Sequence, residues 1–552
     1  MKCTMMTALL AAVITTSLQA QKATFSYFRY TGHDARFNKT IDKTKEFLNP
    51  ILAGFYPDPA VCRKGDTYYL VNSSFSFFPG VPIFESKDMV NWQQIGHVLD
   101  HESQLQLEGQ WVSGGIYAPA ISYNEKNQTF YMITTNVGKG GNFYVKTSDP
   151  HQGWSDPIYL PEVDGIDPSF LFDSDGKAYI VHNAPVMGKA DYEGQRAIRL
   201  LEFDGAGDCT VGEPLEIVRG GTHVTERPVW IEGPHLYHIG KYYYLMCAEG
   251  GTGDGHSEVI FRAKKPQGPW EECPQNPILT QRDLTDQRAD KVTSTGHADL
   301  IQTKEGDWWA VFLGCRPYEG GLYNTGRETF LLPVTWKDGW PQILESGKAV
   351  PTVVAKRNLS PSPLSPLTSN FTFTDRFEGQ ALNHRWLFLR NPPANACELT
   401  DKGLALRATG SVRQTKPQST VYYRQQHTAF DAETCLMFNA TSSKRIAGLV
   451  LFQDETHHFL FGKTLLDKRP ALVLKRMEKE EILIGSCFLP ADDQPVRLKI
   501  EADGRYYGFY YAVGNADTWQ PIAVGVDGAN LSTERAGGFI GAMIGLTATN
   551  VR

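Results

Sequence analysis

The sequence predicts an all-β protein in which a five-bladed β-propeller is followed by a β-sandwich. An aromatic strand pattern recurs five times between residues 45 and 350, and short segments of alternating apolar and polar residues fill residues 371–552. The composition agrees with such a fold, since 51 Gly and 32 Pro accompany 41% hydrophobic residues in a chain of 552. These values are typical of a turn-rich globular protein and exclude collagen, a coiled coil and a multi-span membrane protein.

Residues 1–20, MKCTMMTALLAAVITTSLQA, have the features of a secretory signal peptide. Lys2 precedes a short apolar run, and Ala20 places a small residue at the cleavage point. The apolar run is shorter than the roughly 20 residues that a membrane-spanning helix needs, and no later segment is long and apolar enough. We therefore expect an exported protein, either periplasmic or secreted, with no membrane span.

The five repeats each consist of a turn followed by aromatic and β-branched residues, namely GDTYYLV, NQTFYMI, GKAYIV, GKYYYLM and GDWWAVF. The aromatic residues at the equivalent positions, spaced 62, 49, 64 and 66 residues apart, are Tyr68, Phe130, Tyr179, Tyr243 and Trp309. A turn followed by such a run indicates the second strand of a hairpin. Four strands per unit would fill these spacings, so the repeats predict five propeller blades over residues 45–350.

A second shared feature lies ten to twelve residues before each of these aromatic residues. In chain order it reads Asp58-Pro59, Ala118-Pro119, Asp167-Pro168, Glu232-Gly233-Pro234 and Gly296-His297-Ala298-Asp299. Equivalent positions on the innermost strands of a propeller face the central channel, so we expect these residues to converge at one mouth of that channel. Three carboxylates and a histidine meeting at one place indicate a chemical site and not a packing arrangement.

The second half of the chain begins with a predicted linker. Residues 351–370, PTVVAKRNLSPSPLSPLTSN, contain four Pro and several Ser and show little periodicity. Residues 371–552 then alternate apolar and polar positions in short strands, which is typical of a β-sandwich. Residues 21–44 carry no clear pattern and receive no assignment.

The charge and the cysteines exclude further classes. A net charge of −7 without a clustered basic face argues against a nucleic-acid partner. Eight cysteines follow residue 20, with no CxxC pair and no histidine at zinc spacing, so we expect no metal cluster. Most of these cysteines are interpreted as buried thiols, beside one or two disulfides.

Seven ordered windows resemble glycoside hydrolase family 43, in its β-xylosidase and α-L-arabinofuranosidase branch. They read NPILAGFYPDPAV, SSFSFFPGVPIF, SGGIYAPAI, GIDPSFLF, IEGPHLYHIGKYYYL, STGHADLIQ and GRETFLLPVTW. The resemblance runs from about residue 49 to 349 and continues more weakly into the C-terminal part. It implies a five-bladed propeller that hydrolyses glycosidic bonds with inversion, followed by a lectin-like sandwich of the concanavalin A type.

The resemblance assigns three catalytic acids. Asp58 of the YPDPA window corresponds to the general base that activates water, and Glu232 of EGPHLY corresponds to the general acid. Asp167 of GIDPS corresponds to the residue that tunes the pKa of the acid and helps to orient the substrate. The chemistry requires such a set, because an inverting enzyme needs a protonated acid and an ionised base on opposite faces of the sugar.

Four further residues are predicted to bind substrate. Phe75 and Tyr117 match aromatic positions that wall the first sugar site, and Arg327 matches an arginine suited to paired hydroxyls. His297 lies near the predicted channel centre and has three interpretations, in which it binds sugar, holds a structural Ca²⁺ or water, or is a satisfied core histidine. No cofactor is required, since the acid and the base are both side chains.

The leading hypothesis is an exo-acting, inverting hydrolase that releases xylose, L-arabinofuranose or both from hemicellulose. Its partners would be oligosaccharides of xylan, arabinoxylan or arabinan, attacked at chain ends or side chains. Two alternatives stay open, a retaining fructan hydrolase on a similar propeller and a non-catalytic, two-domain carbohydrate-binding protein. The sandwich likewise has two readings: in similar enzymes it closes one side of the pocket, and otherwise it would be a tethered carbohydrate-binding module.

Overall fold

The computed structural model describes residues 21–362, 369–490 and 493–550. The predicted signal peptide, residues 1–20, and the middle of the predicted linker lie outside these ranges. The regular secondary structure of the described chain is almost wholly β-strand, and its helical turns are limited to Ala35–Asn38, Val224–Glu226, Ala529–Leu531 and Thr533–Ala536. Within these ranges, no helix has the length and apolar character needed to cross a bilayer.

Five successive antiparallel sheets occupy the first part of the chain. The first sheet contains Ala60–Lys64, Thr67–Val71, Gly80–Ser86 and Gln93–Leu99, and the second Ile116–Asn124, Thr129–Asn136, Gly141–Thr147 and Ile158–Tyr159. The third contains Ile166–Phe172, Ala178–Pro185, Arg196–Asp204 and Cys209–Arg219. The fourth contains Glu232–Ile239, Tyr242–Glu249, Ser257–Ala263, Glu271–Glu272 and the short Leu279–Thr280. The fifth contains Thr293–Gln302, Trp308–Cys315, Arg327–Lys337 and Trp340–Gln342.

The repeated aromatic residues lie on the second strand of each of these sheets, as the sequence predicts. All five are buried between neighbouring sheets, namely Tyr68, Phe130, Tyr179, Tyr243 and Trp309. Phe130, for example, packs edge-on against Tyr69 of the preceding sheet, with ring centroids 4.9 Å apart. The repeat therefore reflects the packing of one sheet against the next.

The first strands of the five sheets contact one another in order, and the first strand of the fifth sheet contacts that of the first. At one point near the start of each of these strands the backbone adopts a left-handed conformation. The residues there, with φ of 50°, 36°, 55°, 55° and 51°, are Asp58, Ala118, Asp167, Gly233 and His297. This repeated turn brings five positions that are distant in sequence to one end of the channel that the five first strands surround.

The ring of sheets is tied together by chain segments from both of its ends. Glu46–Leu48 pairs antiparallel with Val353–Ala355, and Leu52 bridges to Thr329 on the third strand of the fifth sheet. The predicted linker, residues 351–370, therefore begins with a short strand that belongs to the first part of the fold. Local composition missed this strand because its partner lies about 300 residues away in the sequence.

Two facing sheets form the C-terminal sandwich, and one of them includes a strand from the N-terminus. One sheet contains, in spatial order, Cys397–Thr400, Gly403–Arg407, Lys22–Gly32, Ala429–Met437, Val496–Asp503, Tyr506–Val513 and Gln520–Asp527, with Thr372–Asp375 beside Lys22–Gly32. The other contains Thr420–Arg424, Met543–Asn550, Arg445–Asp454, His457–Leu466, Arg469–Glu478 and Glu480–Phe488. Lys22–Gly32, which the sequence left unassigned, thus completes the sandwich from the other end of the chain.

The sandwich packs directly against the ring of sheets. Phe77–Phe78 pairs with Phe388–Leu389 across the interface, and a shared apolar cluster joins Phe55 and Phe77 of the first part to Tyr422 and others of the second. Arg424 is buried there, and its Nε donates to the carbonyl oxygen of Phe55. A flexibly tethered module would not bury such a surface, so that reading of the sandwich is wrong for this arrangement.

All eight cysteines that follow residue 20 are described, and all are free thiols. Four are buried, three are half-buried, and Cys209 is exposed. The expectation that most are buried thiols is met by only four of the eight, and the one or two expected disulfides are absent among these eight residues. Burial raises the pKa of several of them, including Cys62 and Cys247, which makes them unreactive packing residues.

Candidate active site

A cavity of about 500 Å³ opens where the ring of first strands meets the sandwich. All seven sequence-predicted site residues line it, and so do several that were not predicted. The full lining is Asp58, Phe75, Tyr117, Ala118, Ile166, Asp167, Arg196, Trp230, Glu232, Gly251, Thr252, His297, Arg327 and Phe539. The convergence expected from the repeat positions is therefore what the structure contains.

The three carboxyl groups come from three different sheets and are almost fully buried. Asp58, Asp167 and Glu232 are 5%, 5% and 8% exposed. Asp58 and Asp167 occupy the repeated left-handed position, which is costly for a residue with a side chain and is often retained at functional sites. In the fourth sheet that position belongs to Gly233, so Glu232 lies one residue before it and not at the equivalent point.

Asp58 is held in its ionised form by its neighbours. Arg327 donates from Nη1 to Oδ1 at 3.0 Å, and the Ser73 hydroxyl donates to Oδ2 at 2.6 Å. Burial by itself raises the pKa of Asp58, but the charge of Arg327, with contributions from His297 and the Ser73 hydrogen bond, brings it below its usual range. A carboxylate of this kind is suited to accept a proton.

Glu232 has the opposite environment. Burial raises the pKa of Glu232 to about 8, and the nearby charges of Asp167 and Asp58 add to the rise. The pKa of Asp167 is also raised, to about 7, first by burial and then by the charge of Asp58. Its Oδ2 accepts a hydrogen bond from the Gly233 amide at 3.1 Å, which ties Asp167 to the residue beside the acid. These shifts favour the protonated form of Glu232 at neutral pH.

His297 lies between the cavity and the centre of the ring. It is 7% exposed, and its Nδ1 is 3.8 Å from Asp58 Oδ1, beyond hydrogen-bond distance. Burial lowers the pKa of His297 to about 4, so the ring is neutral at pH 7. The described residues include no group of three or more His, Cys, Asp or Glu side chains placed to hold a metal ion. The His297 ring nitrogen, with the Asp58 carboxylate nearby, does not match the six to eight oxygen ligands that Ca²⁺ prefers.

Three aromatic rings form one wall of the cavity. Phe75 and Tyr117 meet edge to face at 5.2 Å, and Phe539 of the sandwich stacks on Phe75 at 5.9 Å. The Arg327 guanidinium lies over the rings of Phe75 and Phe539, 5.7 and 5.4 Å from their centroids. The sandwich thus supplies the ring that closes this side of the pocket, as expected if its role is to close the pocket and not to act as a tethered binding module.

Seven lining residues were not among the predicted site residues, and three of these have aromatic or charged side chains: Arg196, Trp230 and Phe539. Trp230 lies only two residues before Glu232, so its proximity to the acid was available as a signal. Arg196 begins the third strand of the third sheet, and Phe539 follows a short helix in the sandwich. Nothing in their local sequence indicates a site, because only the tertiary fold brings them to it.

A buried acid with a raised pKa and a buried base with a lowered pKa, sharing one pocket with aromatic walls, define an acid–base hydrolase acting on sugars. The comparison with known families agrees. Residues 47–341 match the model for glycosyl hydrolases family 43, and residues 374–552 match the β-xylosidase C-terminal concanavalin A-like domain. The chain belongs to glycosyl hydrolase family 43. The two matches confirm the predicted family 43 propeller domain and the predicted C-terminal concanavalin A-like domain.

Similar proteins cover nearly the whole chain. A xylosidase/arabinosidase of Butyrivibrio fibrisolvens is 38% identical over 518 residues, covering 91% of this chain and 95% of its own. A non-reducing end α-L-arabinofuranosidase of Bacteroides ovatus is 37% identical over 514 residues, covering 92% of each. The crystal structure of a GH43_12 protein from a capybara gut metagenome matches with a TM-score of 0.89 and 42% identity, covering 96% of this chain and all of that one. Neither the fructan hydrolase nor the non-catalytic binding protein is favoured by these matches.

Proposed function

We propose that this protein is an exo-acting, inverting glycosidase that releases xylose, L-arabinofuranose or both from hemicellulose ends or side chains. The observation that carries the proposal is the opposite pKa shift of Glu232 and Asp58 within one pocket. The relatives named as xylosidases and arabinofuranosidases support the choice of pentose substrates. The aromatic wall completed by Phe539 supports exo action, because it closes one side of a cavity of about 500 Å³.

The proposed reaction moves two protons. Glu232 donates its proton to the glycosidic oxygen as the bond from that oxygen to the anomeric carbon breaks. Asp58 accepts a proton from a water molecule, whose oxygen forms the new bond on the opposite face of the sugar. In its ionised form Asp167 raises the pKa of Glu232 further through its negative charge, and it accepts a hydrogen bond from the Gly233 amide beside Glu232. Exchange with solvent then restores both carboxyl groups.

The sugar that is released would lie against Phe75 and Tyr117, whose rings fit the apolar face of a pentose. Arg327 would donate to sugar hydroxyls while it also holds Asp58. Of the three interpretations of His297, sugar binding has the most support, because the neutral ring lines the cavity. The proposed chemistry proceeds without a metal ion, and a Ca²⁺ held by His297 stays a prediction.

We also infer that the five sheets are the five blades of the propeller and that the protein is exported. The inferred blade count is supported by the cyclic contacts of the first strands and by the five repeated turns. The inferred export depends on the signal-like residues 1–20 alone.

The stereochemistry of the product tests the mechanism. Proton NMR of the first-formed sugar should show the anomeric configuration opposite to that of the substrate, since water attacks the face away from the leaving group. Rates on aryl β-xyloside and aryl α-L-arabinofuranoside, measured side by side, would assign the preferred pentose. Retention of configuration, or inactivity on both glycosides, would overturn the proposal.

A further inference from the structure

Trp230 is an unusual residue for a purely structural role. Its side chain lines the cavity and leaves 43% of the residue exposed, although tryptophan is among the most hydrophobic of large residues. Its backbone has φ of 53°, a conformation that bulky residues rarely adopt. The backbone amide of Trp230 donates to the Gly194 carbonyl oxygen, a bond that does not depend on the ring. The exposed ring and the strained backbone therefore call for a functional explanation.

Arg196 fixes the position of this ring. Its guanidinium lies 5.1 Å from the centroid of the Trp230 ring. Arg196 Nε and Nη2 both donate to Asn183 Oδ1, at 3.1 and 2.6 Å. Asn183 Nδ2 in turn donates to the carbonyl oxygen of Ile231, the residue between Trp230 and Glu232. Arg196 and Trp230 are thus held as one unit beside the proposed acid.

The Nη1 nitrogen of Arg196 makes no hydrogen bond within the described residues. Nε and Nη2 are both engaged by Asn183 Oδ1. Because Arg196 lines the cavity, this nitrogen has access to a ligand there. A flat aromatic ring beside a fixed guanidinium offers stacking and a directed hydrogen bond at the same time.

The cavity has two distinct halves. Phe75, Tyr117 and Phe539 cluster with Arg327 on one half, whereas Trp230 shares none of their ring contacts. Arg196 begins the third strand of the third sheet, and Trp230 lies two residues before Glu232, at which the first strand of the fourth sheet begins. The leaving-group oxygen must lie within hydrogen-bond distance of the Glu232 carboxyl. The leaving group therefore departs on the side of Trp230 and Arg196.

We propose that Trp230 and Arg196 form the binding site for the leaving-group sugar, with the Trp230 ring stacked on that sugar and Arg196 Nη1 donating to one of its hydroxyls. This inference depends on the proposed function, since it assumes that Glu232 is the proton donor. The preferred substrates would then be pentosides whose leaving group is a ring that can stack on Trp230, with a sugar ring as the natural leaving group. Pentosides of small alcohols would leave both groups without a partner.

The test compares two substrates that share the same pentose in the same anomeric form. One is a disaccharide with a sugar leaving group, and the other is the methyl pentoside, whose small leaving group does not reach Trp230. Both leaving groups need a proton from Glu232, so a disturbed acid would slow both reactions alike. The ratio of kcat/KM for the disaccharide to kcat/KM for the methyl pentoside should fall roughly tenfold or more in Trp230→Ala and in Arg196→Gln. Trp230→Phe, which retains an aromatic face, should recover part of the ratio.

Tyr159→Ala is the matched control, because Tyr159 is 53% exposed and lies outside the cavity lining. It should leave the ratio at the wild-type value. Equal losses on both substrates in Trp230→Ala and Arg196→Gln would indicate a structural role and overturn this inference alone. Wild-type protein that hydrolyses neither substrate for either pentose would instead overturn the proposed function.

Discussion

Two carboxyl groups of the same pocket, Asp58 and Glu232, are buried to nearly the same extent, yet their pKa values move in opposite directions. Burial raises both. Asp58 has a guanidinium and a hydroxyl as direct donors, while Glu232 has the negative charges of Asp167 and Asp58 nearby. The difference shows that neighbouring charges, and not the depth of burial, decide which of the two carboxyl groups has a lowered pKa and which a raised one.

The largest effect should come from replacing the proposed acid. Glu232→Gln keeps the shape of the side chain but has no proton to give, so kcat on a disaccharide should fall roughly 10²–10⁴-fold. A glycosyl fluoride needs no protonated leaving group and should lose much less. Initial rates on both substrates check this prediction, with thermal unfolding as the control for folding. Equal losses on the two substrates would contradict the assignment of Glu232 as acid.

The next largest effect is expected at Asp58, the proposed base. Arg327→Met removes the cation that lowers the pKa of Asp58, so that pKa should rise and kcat/KM should fall. Because the base must be ionised, the acidic limb of the kcat/KM profile against pH should move to higher pH. Arg327→Lys retains the charge and serves as the control, since its limb should stay near that of the wild type. An unmoved limb in Arg327→Met would refute the role of Arg327 in holding Asp58 ionised.

At Glu232, the proposed acid, the expected shift in the pH profile of kcat/KM has the opposite sign. Asp167→Asn removes a negative charge that raises the pKa of Glu232, so the acid should lose its proton at a lower pH than the wild-type value of about 8. The alkaline limb of kcat/KM should therefore move to lower pH, together with a loss in kcat. A pH series on the glycosyl fluoride, which does not need the acid, is the control. An alkaline limb that stays in place would show that Asp167 does not tune Glu232.

The smallest effect is expected at the wall supplied by the sandwich. Phe539→Ala opens one side of the pocket and removes a ring stacked on Phe75, so KM should rise roughly tenfold while kcat changes little. Steady-state kinetics on an aryl pentoside measure this, and Tyr506→Ala, at an exposed residue of the sandwich, is the control. A fall in kcat without a change in KM would mean that Phe539 acts on the chemical step.

Much of the site was predictable because its acids follow the repeat. Asp58 and Asp167 occur at the same point of their sheets, and each precedes a proline. Glu232 is one residue away from that point, so its position alone would have given Gly233, and the EGPHLY window was needed to identify it. Trp230 could have been suspected from its place two residues before Glu232, whereas Phe539 and Arg196 were not predictable, since the fold brings them to the site from segments that are far away in the chain.

The sequence by itself determined the class of strands and the five repeats, because turn residues, aromatic positions and alternating polarity are local properties. The windows that resemble family 43 added Asp58, Asp167 and Glu232 as the three candidate acids. Tertiary structure alone decided which acid holds its proton, since that depends on the distances of Arg327, Ser73 and Asp167 from each carboxyl group. It also decided that Lys22–Gly32 joins the sandwich and that Phe539 closes the pocket. Contacts between residues hundreds of positions apart leave no local trace in an amino-acid sequence.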